Sequence, residues 1–280
     1  MTDVKSHEGV DPRRLVFVGG LHRSGTTPVA RALSHHPEIA GFTNTGVIED
    51  EGQHLQDVYP AAKTYGGPGR FALDPRSHLT ETSDLIRPDT AARLLGAWQP
   101  HWDLERHHLV EKSPPNVVMS RFLQAVFPGS SVIVVMRHPV IVALSTVKWR
   151  RLLSRHANNH ASLDTMVHNW VHAYSVFFDD LPRLQRVVVL RYEDLVMTPA
   201  TSLRLVEDLL SLQSSIPSDS FQANRSTAYV ERWASMEHSM LGRKQRDRLI
   251  ERYAASVAPF GYDLNDVEAL GALDLRAAGR

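Results

Sequence analysis

The residues best suited to hold an anion lie between Gly19 and Thr27, in the order Gly-Gly-Leu-His-Arg-Ser-Gly-Thr-Thr. They follow the apolar run at residues 15–18. A glycine-rich turn from strand to helix exposes backbone N–H groups and the positive end of the helix dipole. Ser24, Thr26 and Thr27 add hydroxyl donors, Gly25 closes a Gly-x4-Gly frame, and Arg23 adds a planar charged fork. Pro28 suits the first helical turn, where its missing N–H would go unpaired anyway. In loops that hydrolyse nucleoside triphosphates, Lys follows the second Gly and a Ser or Thr holds Mg²⁺. Here Thr26 stands in the Lys position, and the next strands end at Lys112 and Arg137 with no acidic partner for magnesium.

A second chemical grouping lies further on. Glu49, Asp50, Glu51 and His54 crowd into residues 49–54. In a helix, Glu51 and His54 would share a face at i,i+3, and Asp50 and His54 at i,i+4. A charged helix start, which favours acids in its first turn, accounts for two of them without any chemistry. The 15 histidines include two i,i+4 pairs, His156 with His160 and His168 with His172. Neither pair has the Glu of His-Glu-x-x-His or an evident third ligand, so no metal site is assigned. There is no Gly-x-Ser-x-Gly elbow for a serine hydrolase. Asn224-Arg225-Ser226 matches a glycosylation sequon that an intracellular chain would not use.

Composition narrows the classes further. The 280 residues suffice for one large core. Lys plus Arg and Asp plus Glu balance at 31 each, which argues against a general binder of nucleic acid or membrane surfaces. Cysteine is absent, so disulfides, zinc–thiolate sites and thiol catalysis are excluded. No secretory signal and no bilayer-spanning apolar run are visible, and a cytoplasmic location is expected.

These groups need a scaffold. Continuous apolar runs at 15–18, around 109–110, at 132–136 and at 187–190 read as strands of a parallel sheet covered on both faces. Helical patterns at 27–33, 116–127, 139–153 and 199–212 alternate with them, giving an α/β fold with a central parallel sheet flanked by helices. Residues 1–280 read as a single domain with a flexible start at 1–13. Residues 41–80 are rich in Gly and Pro and read as a functional loop. Residues 212–225 read as a second loop.

The stretch Leu-His-Arg-Ser-Gly-Thr-Thr, with His-His-Pro-Glu-Ile beyond it, resembles the 5′-phosphosulfate loop of sulfotransferases. That family uses 3′-phosphoadenosine 5′-phosphosulfate (PAPS). The likeness is to tyrosylprotein sulfotransferases and their bacterial relatives, and it implies a P-loop-like fold that needs neither the usual lysine nor Mg²⁺. Residues 132–145, 108–116, 190–199 and 258–264 match the family in order. The resemblance implies that Arg23, Ser24, Gly25, Thr26 and Thr27 hold the 5′-phosphosulfate. Arg137 and Ser145 would take the 3′-phosphate, and Lys112 would steady charge on the bridging oxygen. It places Tyr192 near the adenosine, with Arg225, Arg232 and Trp233 as further candidates for the 3′-phosphate and adenine.

Transfer to a hydroxyl needs in-line attack and a base. The tyrosylprotein enzymes carry a Glu about twenty residues beyond the loop, where this chain has Asn44, so a peptide-tyrosine acceptor is in doubt. Glu51 is the leading candidate, followed by Glu49, His54 and His22. The acceptor is expected to be a small metabolite, lipid or carbohydrate bound by residues 41–80, whose aromatics are Phe42, Tyr59, Tyr65 and Phe71. Two other readings are a phosphotransferase using ATP and Mg²⁺, and a noncatalytic protein binding PAPS or its diphosphate product. Oligomeric state is left open.

Overall fold

The computed structural model describes residues 9–153, 162–219, 221 and 225–273. Residues 1–8, Asn224 and the pair His156 and His160 lie outside them. In chain order the elements begin with β1 (Leu15–Gly20), α1 (Thr26–Ser34) and β2 (Ile39–Ala40), then α2 (Thr90–Trp98) and β3 (His108–Lys112). There follow α3 (Ser120–Val126), β4 (Ser131–Met136), α4 (Pro139–Leu153), α5 (Leu163–Asp180) and β5 (Val187–Arg191). The chain continues through α6 (Tyr192–Met197), α7 (Pro199–Leu210), α8 (Thr227–Ser235) and α9 (Met240–Val257).

The strands form one sheet in the order β2-β3-β1-β4-β5, and every pairing is parallel. Val16 lies beside Val110 and Ser131, so β1 is the central strand. Chain order runs to one side of β1 and then to the other. Loops leaving the carboxyl ends of β1 and β4 therefore part and leave a crevice, the usual ligand site of such sheets.

Both faces are covered, which is why the strands read as unbroken apolar runs. Val16, Val18, Ile133 and Val135 pack with Val29 and Leu33 of α1 and with Leu203 and Val206 of α7. On the opposite face Phe17 and Leu109 meet Trp98, Phe122 and Phe127. Val132, Val134 and Met136 meet Trp170, Tyr174 and Phe177 of α5.

Local chemistry moves several expected boundaries. Pro114 and Pro115 open a 3₁₀ turn, Pro114–Val118, so the α-helix expected from residue 116 starts only at Ser120. The helix expected through 212 ends at Leu210, where Ser211 turns left-handed at φ 56°. Residues 9–13 are not loose: Val10 is buried with Trp98, and the Asp11 carboxylate accepts from Arg13 N–H to cap the turn Pro12–Arg14. Strand β2, with two residues, is too short to show a pattern.

Residues 41–80 hold short 3₁₀ turns fastened to the body of the protein. The Ala72 N–H donates to Asn169 of α5 at 3.0 Å, and His78 Nε2 meets Asp180 at 2.7 Å. Phe71 is fully buried, with its ring edge-on to His22 at 5.7 Å. Emptying that position in Phe71→Ala should cost about 3–5 kcal/mol of unfolding free energy. Denaturant titration checks this, and a loss below about 1 kcal/mol would mean that the 41–80 segment is not part of the cooperative core.

Candidate functional site

The turn from β1 into α1 is shaped by residues beneath it. Gly25 has φ 108°, and a Cβ there would strike the Tyr192 ring. Gly20 has φ 147°, and a Cβ there would strike Val135 O. Ser24 is fully buried, and its N–H donates to Leu21 O at 3.0 Å. It thus shapes the turn from below and lines neither of the two cavities that flank the start of α1. Tyr174 OH of α5 donates to Val135 O at 2.8 Å and accepts from Leu21 N–H at 3.3 Å, tying the turn to β4.

A cleft of about 380 Å³ opens over the start of α1. Arg23, Gly25, Thr26, Thr27, Arg137, Ser145, Tyr192 and Arg225 all line it. Arg23 Nε donates to Ser145 Oγ at 3.1 Å, joining the loop to α4. Arg137 is 6% exposed and lies over the Tyr192 ring at 4.4 Å. There a cation meets the negative face of the ring. Its guanidinium donates to Arg23 O at 3.1 Å and to Ser226 Oγ at 2.7 Å, while Nε is buried without a partner. Burial pulls its pKa below the usual arginine value, a cost that an anion in the cleft would offset.

Trp233 is absent from this cleft. It is 2% exposed in the α5–α9 core, where its Nε1 donates to Leu264 O at 3.2 Å. Tyr229, one turn earlier on α8, lines the cleft instead, whereas Arg232 does not. Four apart, the two share one face of α8, whose first turn borders the cleft while its last turn packs in the core.

The second cavity, of about 200 Å³, lies on the other side of Thr26 and Thr27. His22, Glu49, Glu51, Gln53 and His54 line it. Residues 48–54 are two 3₁₀ turns meeting at Glu51, not an α-helix, yet His54 Nε2 still comes within 3.7 Å of Glu51 Oε2. Glu51 is 6% exposed; its Oε1 accepts from Lys112 Nζ at 3.2 Å and its Oε2 from Gln53 Nε2 at 2.5 Å. Burial raises its pKa, opposed by the Lys112 charge and the Gln53 hydrogen bond. Burial likewise lowers His54, with Lys63 adding to it, and pulls His22 down to about 3, so His22 is a neutral imidazole.

Lys112 is 4% exposed, lines neither of these two cavities, and also donates to Glu49 O at 2.7 Å. Its ammonium is engaged in holding the Glu49–Glu51 backbone and the Glu51 carboxylate. Glu49 is exposed, lines both cavities and accepts from Thr27 Oγ1 at 3.2 Å.

Behind this wall lies Glu111, a fully buried carboxylate that sequence reading passed over as a strand flank. It accepts from Ser113 Oγ and from Asn116 Nδ2, both at 2.5 Å. Ser113 Oγ in turn accepts from Gln53 N–H at 2.9 Å, and Trp98 Nε1 donates to Gly52 O at 3.1 Å. The Glu51 segment is therefore anchored to β3 through buried hydrogen bonds. A charged residue inside a strand covered on both faces was the signal to look for. His168 stacks on Tyr253 at 6.3 Å, and among the described residues no three metal-binding side chains converge.

Fold and site together define a P-loop-like α/β protein whose arginine-lined cleft adjoins an acid-lined cavity. The Sulfotransferase family model matches residues 15–215, well over half of the chain, and the chain belongs to that family. Among solved structures, a sulfotransferase from Alicyclobacillus acidocaldarius is 16% identical with a TM-score of 0.51, over 87% of this chain and 92% of that one. A sulfotransferase from Mycobacterium tuberculosis is 17% identical (TM-score 0.47, 77% and 70%). A sulfotransferase domain from the curacin biosynthetic pathway is 18% identical (TM-score 0.45, 79% and 90%). The first of these bears out the sulfotransferase fold.

Burial pushes Glu111 up to about 7 from 4.5, against the hydrogen bonds of Ser113 and Asn116. A carboxyl raised in the folded state stabilises fully below its unfolded value and loses that contribution as pH rises through the folded one. Folding stability should therefore fall between pH 4.5 and about 7, and Glu111→Gln should flatten that slope. Urea titrations of both proteins at several pH values test this; parallel profiles would show that Glu111 does not carry the proton.

Proposed function

We propose that the protein moves a sulfuryl group from PAPS to a hydroxyl of a small acceptor. The observation that carries this reading is a shared wall: Arg23, Thr26, Thr27 and Glu49 line both the anion cleft and the acidic cavity. A group held at the start of α1 is thereby exposed to a nucleophile on the other side, as in-line displacement requires.

The residues present fit the donor. The cleft combines the free N–H groups at the start of α1, the Thr27 hydroxyl and the guanidinium groups of Arg23, Arg137 and Arg225. The unpaired, buried Nε of Arg137 is a donor that waits for an acceptor. PAPS supplies the sulfuryl group on a phosphate leaving group. The loop and Arg23 would hold its 5′ end, Arg137 and Ser145 its 3′-phosphate, and Tyr229 would offer its ring to the adenosine, with Tyr192 supporting Arg137 from beneath. Glu51 accepts the acceptor's proton at Oε2, the oxygen nearer His54. Lys112 and Gln53 favour the ionised form of that carboxylate against its burial and aim it, and His22, neutral, offers a hydrogen bond from inside the loop. The protein would work where PAPS is made, in the cytoplasm.

Calorimetry with 3′-phosphoadenosine 5′-phosphate (PAP) tests the donor. Loss of charge-assisted contacts in Arg137→Ala should weaken binding about 10–100-fold. Binding of ATP with Mg²⁺ in preference to PAP would overturn the reading in favour of phosphotransfer. Glu51→Gln should leave PAP affinity intact yet slow release of PAP from PAPS by roughly 10²–10⁴-fold, with 4-ethylphenol as acceptor probe. Undiminished turnover in that variant would remove Glu51 from the mechanism.

A further inference from the structure

The acidic cavity also carries information about what enters it, and the inference rests on the sulfotransferase reading above. Its volume is about 200 Å³. Pockets for drug-sized ligands start at roughly 300 Å³. A sterol or a glycolipid headgroup with its chains exceeds the cavity; a body of about one ring does not. Part of its wall is apolar: Ile48, Ala62, Pro68 and Pro114. Ile48 stays 66% exposed, so a large apolar side chain stands open to solvent at the rim. A ligand lying against it would remove that surface from water.

The charges of the walls are distributed unevenly. Glu51 is held by Lys112 and Gln53, Glu49 by Thr27, and Arg23 by Ser145. Lys63 is the fourth charged residue of the lining, and among the described residues it forms no ion pair. It is exposed, and its charge reaches His54, where it opposes protonation. Lys63 therefore adds a positive charge with no carboxylate partner among the described residues to a cavity whose wall also carries Glu49, Glu51 and several apolar side chains.

We propose that the acceptor is a small hydroxylated organic acid: its hydroxyl meets Glu51, its apolar body covers Ile48 and the prolines, and its anionic group faces Lys63. The arrangement selects by charge at Lys63. A cationic acceptor would meet Lys63 with like charge, and a neutral one would keep the Glu51 and apolar contacts but lack the one with Lys63.

Three near-isosteric phenols separate these cases: 4-hydroxyphenylacetate, 4-ethylphenol and tyramine. Each is titrated into protein saturated with PAP, which leaves the acceptor cavity open without turnover. The expected order is carboxylate tighter than neutral, and neutral tighter than amine, with about tenfold between the extremes. Lys63→Glu should reverse the order of the extremes while PAP affinity and 4-ethylphenol binding stay unchanged. Equal binding of all three, binding of none, or an order that survives Lys63→Glu would overturn the proposal. Failure to bind PAP at all would instead overturn the donor reading, and the two failures are separately visible.

Discussion

The site depends on one ring. Tyr192, at the first position of α6 and 1% exposed, lies under the β1–α1 turn and under Arg137 together. Gly25 touches one part of it so closely that no side chain fits between them, and the Arg137 guanidinium covers its face. The β1–α1 turn and the Arg137 guanidinium thus rest on the same rigid support. Tyr192 itself is held by the turn from β5, whose neighbour in the sheet is β4. Its neighbour Glu193 caps α4 by accepting from His138 N–H at 2.8 Å, and Tyr262 OH donates to the same carboxylate at 3.1 Å. The C-terminal Gly-Tyr element is in this way built into the donor side.

A different network positions the acidic side. Glu111, Ser113 and Asn116 belong to β3 and the turn after it, and they hold Gln53 and so the Glu51 segment. Burying a carboxylate this completely costs more than its hydrogen bonds return in stability alone. What it secures is placement: the irregular backbone at 48–54 has no helix or sheet of its own to fix it. The donor side is set by β1, β4 and β5, and the acid side by β3. The central strand lies between them.

Much of this is legible in the residues alone, for a physical reason. Val132–Met136 and Leu15–Val18 are apolar at consecutive positions because both faces of the sheet are covered, and that pattern is visible in one dimension. The Arg-Ser-Gly-Thr-Thr loop is legible because its chemistry is local. Helix α5 was missed although Ser162 caps it by accepting from Thr165 N–H at 3.1 Å, a local signal that was there to be used. Trp233 and Tyr229 could not be told apart, because which of two residues four apart reaches a cleft depends on how the helix is docked. Lys112 was placed correctly at a strand end, but its partner lies 61 residues earlier in a segment without periodicity. Glu111 needed the knowledge that β3 is internal.

The hydrogen bond from Thr27 to Glu49 has a consequence for how a donor enters. A carboxylate already stands at the positive end of α1. Its residue has a left-handed backbone at φ 56°, a conformation that costs energy to maintain. The chain thus supplies its own counterion to the helix. An anion entering there would meet that carboxylate as a like charge and would have to turn its side chain aside. Because Glu49 also walls the acidic cavity, filling one chamber reshapes the other.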